Sequence, residues 1–261
     1  MLILISTPIG NLQDISLRAI ETLRACDLIL CEDTRQSQIL LNHHDIKRPL
    51  QSFHAFNEKQ KEDQLIKHLQ STQTICMISD AGTPAICDPG QRLIDRCHNE
   101  QLPVTAIPGP CSITTALSLS GFVMPPFQFG GFLPKKPGPL KSTLIDALLY
   151  PGVSAFFVPP HQIEKALALI TKLDPNRPLC IARELTKKFE EIQRGPAHTL
   201  SPNPKGEFCL VIDRGTPFQG NLTSVTQELQ QRFDISQKDA IKLAAEICGI
   251  PKRAAYDQFT N

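Results

Sequence analysis

Short apolar runs alternate along this chain with segments whose apolar residues recur at helical spacing. Leu2–Ser6 has the pattern of a buried strand. Ser16 is placed to cap a helix through Leu17, Ile20 and Leu23, with Leu28 on the same spacing. Asp27–Cys31 then predicts a strand, Thr34–His43 a helix, Asn57–Gln70 a helix polar on most faces, and Thr74–Ser79 a central strand. Pro89 fits the first turn of a helix reaching His98. Pro103–Ile107 predicts a strand and Ser112–Ser120 a small-residue helix stopped by Gly121. Strand and helix in alternation predict a parallel or mixed sheet with helices on both faces.

The pattern changes at Pro125-Pro126, which opens a second α/β segment. Its predicted strands are Phe127–Leu133, Val153–Val158, Leu179–Arg183, Phe189–Arg194 and Glu207–Ile212. Its helices are Leu140–Tyr150 and His161–Leu173, and Pro134–Pro139 reads as a basic, Pro/Gly-rich loop. A third segment follows Pro217. Leu222–Phe233 is helical, and Ser236 caps a helix to Ile247 with Ala240, Leu243, Ala244 and Ile247 on its apolar side. Gly249 ends it, Pro251 opens another, and Tyr256 and Phe259 lie on the apolar side of that last helix. The expected division is thus 1–122, 123–216 and a small helical extension, 217–261.

Composition narrows the class. Of 261 residues, 41% are hydrophobic and 20% charged, with a net charge of +1, which fits a soluble globular chain and excludes a histone-like basic coat. The 22 prolines exceed the usual ~5% and imply many shaped loops. Nine cysteines, an odd number with no Cys-x-x-Cys, sit mostly in apolar runs, so a reducing, cytoplasmic setting without a metal site is expected. Met1–Ile5 lacks a basic flank and is too short for a signal peptide. No apolar run approaches 18 residues, so no membrane partner is expected.

Three loops follow predicted strands: Ser6-Thr7-Pro8-Ile9-Gly10-Asn11-Leu12, Ser79-Asp80-Ala81-Gly82-Thr83-Pro84 and Pro108-Gly109-Pro110-Cys111-Ser112. In open α/β sheets such loops gather at the carboxyl edge, where ligands bind. Each alone is ordinary turn chemistry, but three after three strands point to a site. Asp80 is suited to a ligand hydroxyl or amine, and Ser112 opens a helix with free backbone donors. Gly-x-Gly-x-x-Gly, the phosphate-loop motif and Gly-x-Ser-x-Gly are all absent. Two polar clusters remain, each after a strand: Glu32-Asp33-Thr34-Arg35 and Arg183-Glu184-Leu185-Thr186-Lys187-Lys188. With Lys135, Lys136 and Lys141 the second could form a phosphate-binding patch; its plain alternative is a solvated charge run.

These stretches, in this order and with Gly131-Phe132-Leu133-Pro134, resemble the ribosomal RNA small subunit methyltransferase I family of the tetrapyrrole-methylase-like class. The resemblance spans Met1 to about Ile212, and Lys238-Asp239-Ala240 to Pro251-Lys252-Arg253 is similar to the family's helical C-terminal extension. It implies two α/β domains of the class III methyltransferase type with S-adenosylmethionine in a cleft between them. It further implies a homodimer, 16S ribosomal RNA of the small subunit as partner rather than DNA, and methylation of a cytidine ribose 2′-hydroxyl. Carried over loop by loop, the cofactor would lie against Pro8, Gly10, Asp80, Ala81, Gly82, Thr83, Ser112 and Ile113, with Leu185 closing the site. From the chemistry of these side chains, Glu184 or Asp33 could accept the proton, and Lys187 or Arg35 could hold RNA phosphate or lower the hydroxyl pKa. Where the family tends to read Glu-Ser-Pro-His-Arg, this chain has Val158-Pro159-Pro160-His161-Gln162, losing a carboxylate and a guanidinium. The alternatives are a tetrapyrrole C-methyltransferase on the same fold and an RNA-binding relative without activity.

Overall fold

A computed structural model describes residues 1–215 and 218–260 of the chain. The boundary expected at Thr216–Pro217 lies outside the described residues. The chain divides into two compact units: Met1–Thr115 with Glu184–Glu190, and Ala116–Arg183 with Glu191–Asn261.

The first unit holds β1 (Leu2–Ile5), α1 (Leu17–Ala25), β2 (Leu28–Cys31), α2 (Thr34–His43), β3 (Leu50–Ser52), α3 (Glu58–Gln70), β4 (Ile75–Ile78), α4 (Gln91–Asn99) and β5 (Val104–Ile107). The strands form one parallel sheet in the order β3-β2-β4-β1-β5. Strand alternation splits its side chains between two cores. Ile3, Ile5, Ile29, Cys76 and Ile78 pack with α1 and α2, whereas Leu2, Leu30, Ile75 and Met77 pack with α3 and α4. Both faces are covered, as expected for parallel strands. Connections from β1 and β2 run along one face and those from β3 and β4 along the other, so the chain switches faces beside β4. That switch point is where open α/β sheets bind ligands.

Several sequence expectations shift. Leu28 belongs to β2, not to the α1 stripe. β3 was not foreseen: three half-buried residues carry no period and become a strand only by pairing with β2. The α4 cap is Gly90, so Pro89 precedes the helix.

The second unit holds α5 (Ser112–Ser120), which begins in the first unit, then β6 (Phe127–Phe132), α6 (Pro137–Leu149), β7 (Val153–Val158), α7 (Ile163–Leu173), β8 (Pro178–Arg183), β9 (Glu191–Pro196) and β10 (Phe208–Ile212). Its mixed sheet runs β6-β7-β10-β8-β9, with only β6 and β7 parallel. Three further helices, α8 (Leu222–Phe233), α9 (Gln237–Cys248) and α10 (Lys252–Thr260), join this unit's core through Leu222, Val225, Leu229, Phe233 and Ala255. Pro137–Pro139, expected in a loop, form the first turn of α6, where missing N–H groups cost nothing. On α9 the buried side is Ala240, Ile241, Ala244 and Ala245; Ile247 is exposed. Leu243 is half-buried against the same core, so the buried face takes in Ile241 and Ala245 beside the expected Ala240 and Ala244 and leaves Ile247 out. Val158 is core, and Gln162 is buried with its Oε1 lacking a partner among the described residues.

Candidate functional site

The three strand-end loops of the first unit are knitted into one surface. Thr7 and Gly82 pair as an isolated antiparallel bridge: Thr7 N donates to Gly82 O at 2.9 Å and Gly82 N to Thr7 O at 3.0 Å. Gly82 makes this bridge at φ +81°, a conformation that favours glycine. Thr7 Oγ1 donates to Ser79 O at 3.0 Å and Ser79 Oγ to Gly82 O at 2.9 Å. Thr83 Oγ1 lies 3.0 Å from Ser6 Oγ and donates to Pro110 O at 3.3 Å, adding the loop after β5. A fourth loop joins where Asp33 N donates to Asp80 Oδ1 at 3.1 Å.

The fifth contribution comes from far along the sequence. Glu184–Glu190 folds as a closed turn: Lys187 N donates to Glu184 O at 3.0 Å, Glu190 N to Lys187 O at 3.1 Å, and Thr186 N to Glu190 Oε2 at 2.6 Å. This turn lies on Gly10. A Cβ there would meet Leu185 O and Thr186 Oγ1 at 2.8 Å and run into Lys187 Cγ, so only glycine permits the approach. The turn also explains why the strand expected at Phe189 begins at Glu191. Every residue expected to bind cofactor or take part in catalysis therefore falls in the first unit, and Lys135, Lys136 and Lys141 fall in the second.

Their exposure differs. Gly10, Asp80 and Ala81 are exposed and Thr83 and Ser112 half-buried, whereas Pro8, Gly82, Ile113 and Leu185 are buried and form the wall behind them. Asp33 caps α2 and is gripped by Arg35, whose N, Nε and Nη2 donate to it at 2.8, 3.1 and 2.7 Å. The Arg35 guanidinium holds the Asp33 carboxyl down at about 2. Lys187 Nζ lies 3.0 Å from Glu184 Oε1. Of the lysines expected as a patch, Lys135 and Lys136 are exposed, but Lys141 donates to Asp234 O at 2.7 Å and ties α6 to the end of α8.

Two residues escaped the sequence reading. Asp88 lines a narrow cleft with Cys31, Glu32, Phe53 and Ser79, between the carboxyl ends of β2 and β4. Burial first, then Glu32 and Asp80, pushes its carboxyl up to about 6. In sequence Asp88-Pro89-Gly90 looks like an ordinary turn. Thr186, named in sequence only as part of the charged cluster and given no role there, is the other: it sits at φ +64°, rare for a β-branched residue.

Comparison with known proteins places this architecture. The family model for Tetrapyrrole (Corrin/Porphyrin) Methylases matches residues 1–201. A protein named Ribosomal RNA small subunit methyltransferase I from Mesorhizobium japonicum is 40% identical, covering 98% of this chain and 90% of its own. One of the same name from Escherichia coli O157:H7 is 38% identical, covering 98% and 93%. One from Thermotoga maritima is 40% identical over 81% of this chain and 97% of its own, so about a fifth of the present chain has no counterpart there. Among solved structures, a diphthine synthase superposes with a TM-score of 0.62 at 12% identity, covering 84% of this chain and 92% of that one. The methyltransferase CobJ gives 0.61 at 14%, covering 84% and 96%. These last two speak to fold alone. With the two-sheet architecture, and with identities near 40% over almost the whole length, the chain belongs to the ribosomal RNA small subunit methyltransferase I family, within the tetrapyrrole methylases.

Proposed function

We propose that this chain is an S-adenosylmethionine-dependent methyltransferase of small-subunit ribosomal RNA, acting on the 2′-hydroxyl of a cytidine in 16S rRNA. The observation that carries the cofactor reading is the cluster of three carboxyl groups at the sheet edge. Glu32, Asp80 and Asp88 lie close enough that burial and mutual repulsion lift the Asp88 carboxyl to about 6. Such an edge favours a ligand bearing positive charge and several hydroxyls, which describes a sulfonium nucleoside. The cleft admits little more than a water-sized group, far short of the ~300–1,000 Å³ of complete ligand pockets, so such a ligand would lie along the sheet edge rather than inside the cleft. Asp80, Ala81 and Thr83 would hold it from the β4 side, Gly10 and Ser112 from their own loops, with Pro8, Gly82, Ile113 and Leu185 as walls.

When bound, S-adenosylmethionine supplies a methyl group already activated by its sulfonium. The work left to the chain is alignment, which can supply ~7–11 kcal/mol. A general base adds only ~10²–10⁴-fold. Asp33 is a poor acceptor of the hydroxyl proton because Arg35 holds its carboxyl at about 2. Glu184 Oε1, 3.0 Å from the Lys187 ammonium, is the other candidate for that proton, and Lys187, Lys135 and Lys136 would meet phosphate. Arg35 and Lys187 are each paired with a carboxylate, whereas Lys135 and Lys136 are exposed at the start of α6. A homodimeric, cytoplasmic enzyme is part of the same reading; among the described residues no helix is long and apolar enough to cross a membrane. The names of the relatives near 40% identity favour an rRNA substrate over a tetrapyrrole.

The test is methyl transfer from S-adenosylmethionine to small subunits from cells lacking the modification, followed by nucleotide mapping. One methylated cytidine ribose is the expected product. Methylation of a base would remove the 2′-hydroxyl assignment, and transfer to a tetrapyrrole alone would remove the rRNA assignment. Cofactor binding without transfer to either would leave an RNA-binding relative.

A further inference from the structure

Exposed aromatic surface gathers at one edge of the first unit. Among the described residues the two most exposed phenylalanines are Phe56, at 98%, and Phe189, at 65%. Both belong to the first unit, and both stand at the carboxyl edge of its parallel sheet. Phe56 follows β3, and Phe189 sits on the 184–190 turn that lies on Gly10, beyond β1. A single exposed apolar side chain is ordinary. Two aromatic rings flanking the edge where open α/β sheets bind ligands are a different matter, since neither fills a core.

Each ring is presented by a closed turn. Asn57 N and Glu58 N both donate to His54 O at 2.9 Å, and His54 N donates to Asn57 Oδ1 at 2.9 Å. The His54 ring meets Phe56 edge-on, with centroids 6.1 Å apart. Phe189 sits between Lys188, whose Nζ lies 5.6 Å from its ring centroid, and Glu190, which closes the turn by accepting from Thr186 N. Rings held out in this way lose little freedom on binding. Their exposed chain neighbours are mostly polar: Lys59 and Gln60 after Phe56, and Lys188 and Glu190 around Phe189. That setting suits a nucleic acid better than the broad apolar patch of a contact between protein copies.

The sheet order sets the distance between the two. From β3 to β1 is three strand steps, β3-β2-β4-β1, or about 14 Å at ~4.8 Å per step. Bases stacked in a helix stand ~3.4 Å apart, so a strand touching both rings is unstacked between them. The ends of β2 and β4, with Glu32, Asp80 and Asp88, lie in that interval. Carboxylates repel phosphate, so a strand crossing there turns its bases to the protein. Every base has a π face that stacks on an aromatic ring, and Lys59 and Lys188 beside the rings suit the adjoining phosphates. We propose that Phe56 and Phe189 are substrate-binding residues that stack two unpaired bases of single-stranded RNA, one on each side of the nucleotide being methylated. The inference deepens the rRNA reading above and rests on it.

The experiment uses the full chain with Phe56→Leu, Phe189→Leu and the two together, and with Phe56→Trp and Phe189→Trp as conservative variants. Leucine keeps the apolar character and removes the π face. Each leucine variant should raise KM for small subunits from cells lacking the modification about tenfold, the effect appearing in KM rather than kcat. S-adenosylmethionine affinity by calorimetric titration and the melting temperature should not move. The dependence of log KM on log salt should keep its slope, because stacking releases no counterions. Tryptophan should preserve the wild-type KM. A wild-type KM in the double leucine variant overturns the proposal and leaves the rRNA reading intact. Weaker S-adenosylmethionine binding in step with the lost transfer also overturns it, by placing the rings in the cofactor site. A leucine variant that sediments as a smaller species than the wild type gives the rings to a second copy of this chain and overturns it too. A wild-type chain that methylates no ribosomal RNA overturns both readings.

Discussion

Asp33 donates its backbone N–H to Asp80 Oδ1 at 3.1 Å, so the carboxylate that follows β4 is fixed by the loop that follows β2. The two strands are neighbours, and this bond spans their carboxyl ends above the Asp88 cleft. One oxygen of Asp80 is thereby positioned by the fold, while the residue itself remains exposed and available to a ligand.

Replacing Asp80 by Ala should therefore weaken S-adenosylmethionine binding about tenfold or more while leaving the fold almost untouched, because the bond lost is at the surface. Calorimetric titration beside a melting curve checks both. Unchanged affinity at unchanged melting temperature would take Asp80 out of the site.

Gly10→Ala should act differently. The new Cβ meets Leu185 O, Thr186 Oγ1 and Lys187 Cγ, two of them within 2.8 Å, and must push the 184–190 turn away. We expect about 1–3 kcal/mol of destabilisation by urea unfolding, together with faster proteolysis within 184–190. A variant with wild-type stability and wild-type cleavage would show that the turn is not held against Gly10.

The raised Asp88 carboxyl sets a pH dependence. Its unfolded value is near 3.8 and its folded value about 6. Between these the folded chain holds more protons than the unfolded chain, so this contribution is fully present below 3.8 and is lost as pH rises through 6. Asp88→Asn removes the ionisation. The variant should gain stability relative to wild type at pH 7.5 compared with pH 4.5, as read by urea midpoints. An equal difference at both pH values would mean that Asp88 titrates normally.

Lys135 and Lys136 are exposed at the start of α6, whereas Lys141 is engaged with Asp234 O. Changing the first two to Ala should flatten the log affinity against log salt plot for ribosomal RNA by about 1.5–2 units. Lys141→Ala should lower stability and leave that slope alone. The reverse pattern would place the RNA contact on Lys141.

The C-terminal helices are built into the second unit's core. Phe233 is fully buried and Arg232 Nη2 lies 2.6 Å from Asp174 Oδ2. Phe233→Ala should cost about 3–5 kcal/mol, and truncation after Gly220 should produce aggregation. A truncated chain that melts like the parent would instead leave the segment free for a role in seating the substrate.

Much of this was legible along the chain because it depends on neighbours in sequence. Ser16 and Ser236 cap helices where the pattern of a small polar residue before an apolar stripe placed them, since capping satisfies donors only two or three residues away. The strand-end loops were legible too, because alternation of strand and helix forces them to one edge. What only the tertiary structure decided is long-range. β3 exists through its pairing with β2, and Ile247, on the expected stripe of α9, is left exposed while Ile241 and Ala245 are buried. Asp88 reads as a turn residue until burial beside Glu32 and Asp80 changes its proton affinity. Thr186 lies far in sequence from Gly10, and no local pattern reports that its hydroxyl is left without a partner there. Local hydrogen bonding and periodicity are written in the order of residues; burial, charge repulsion and close approach arise only when distant segments meet.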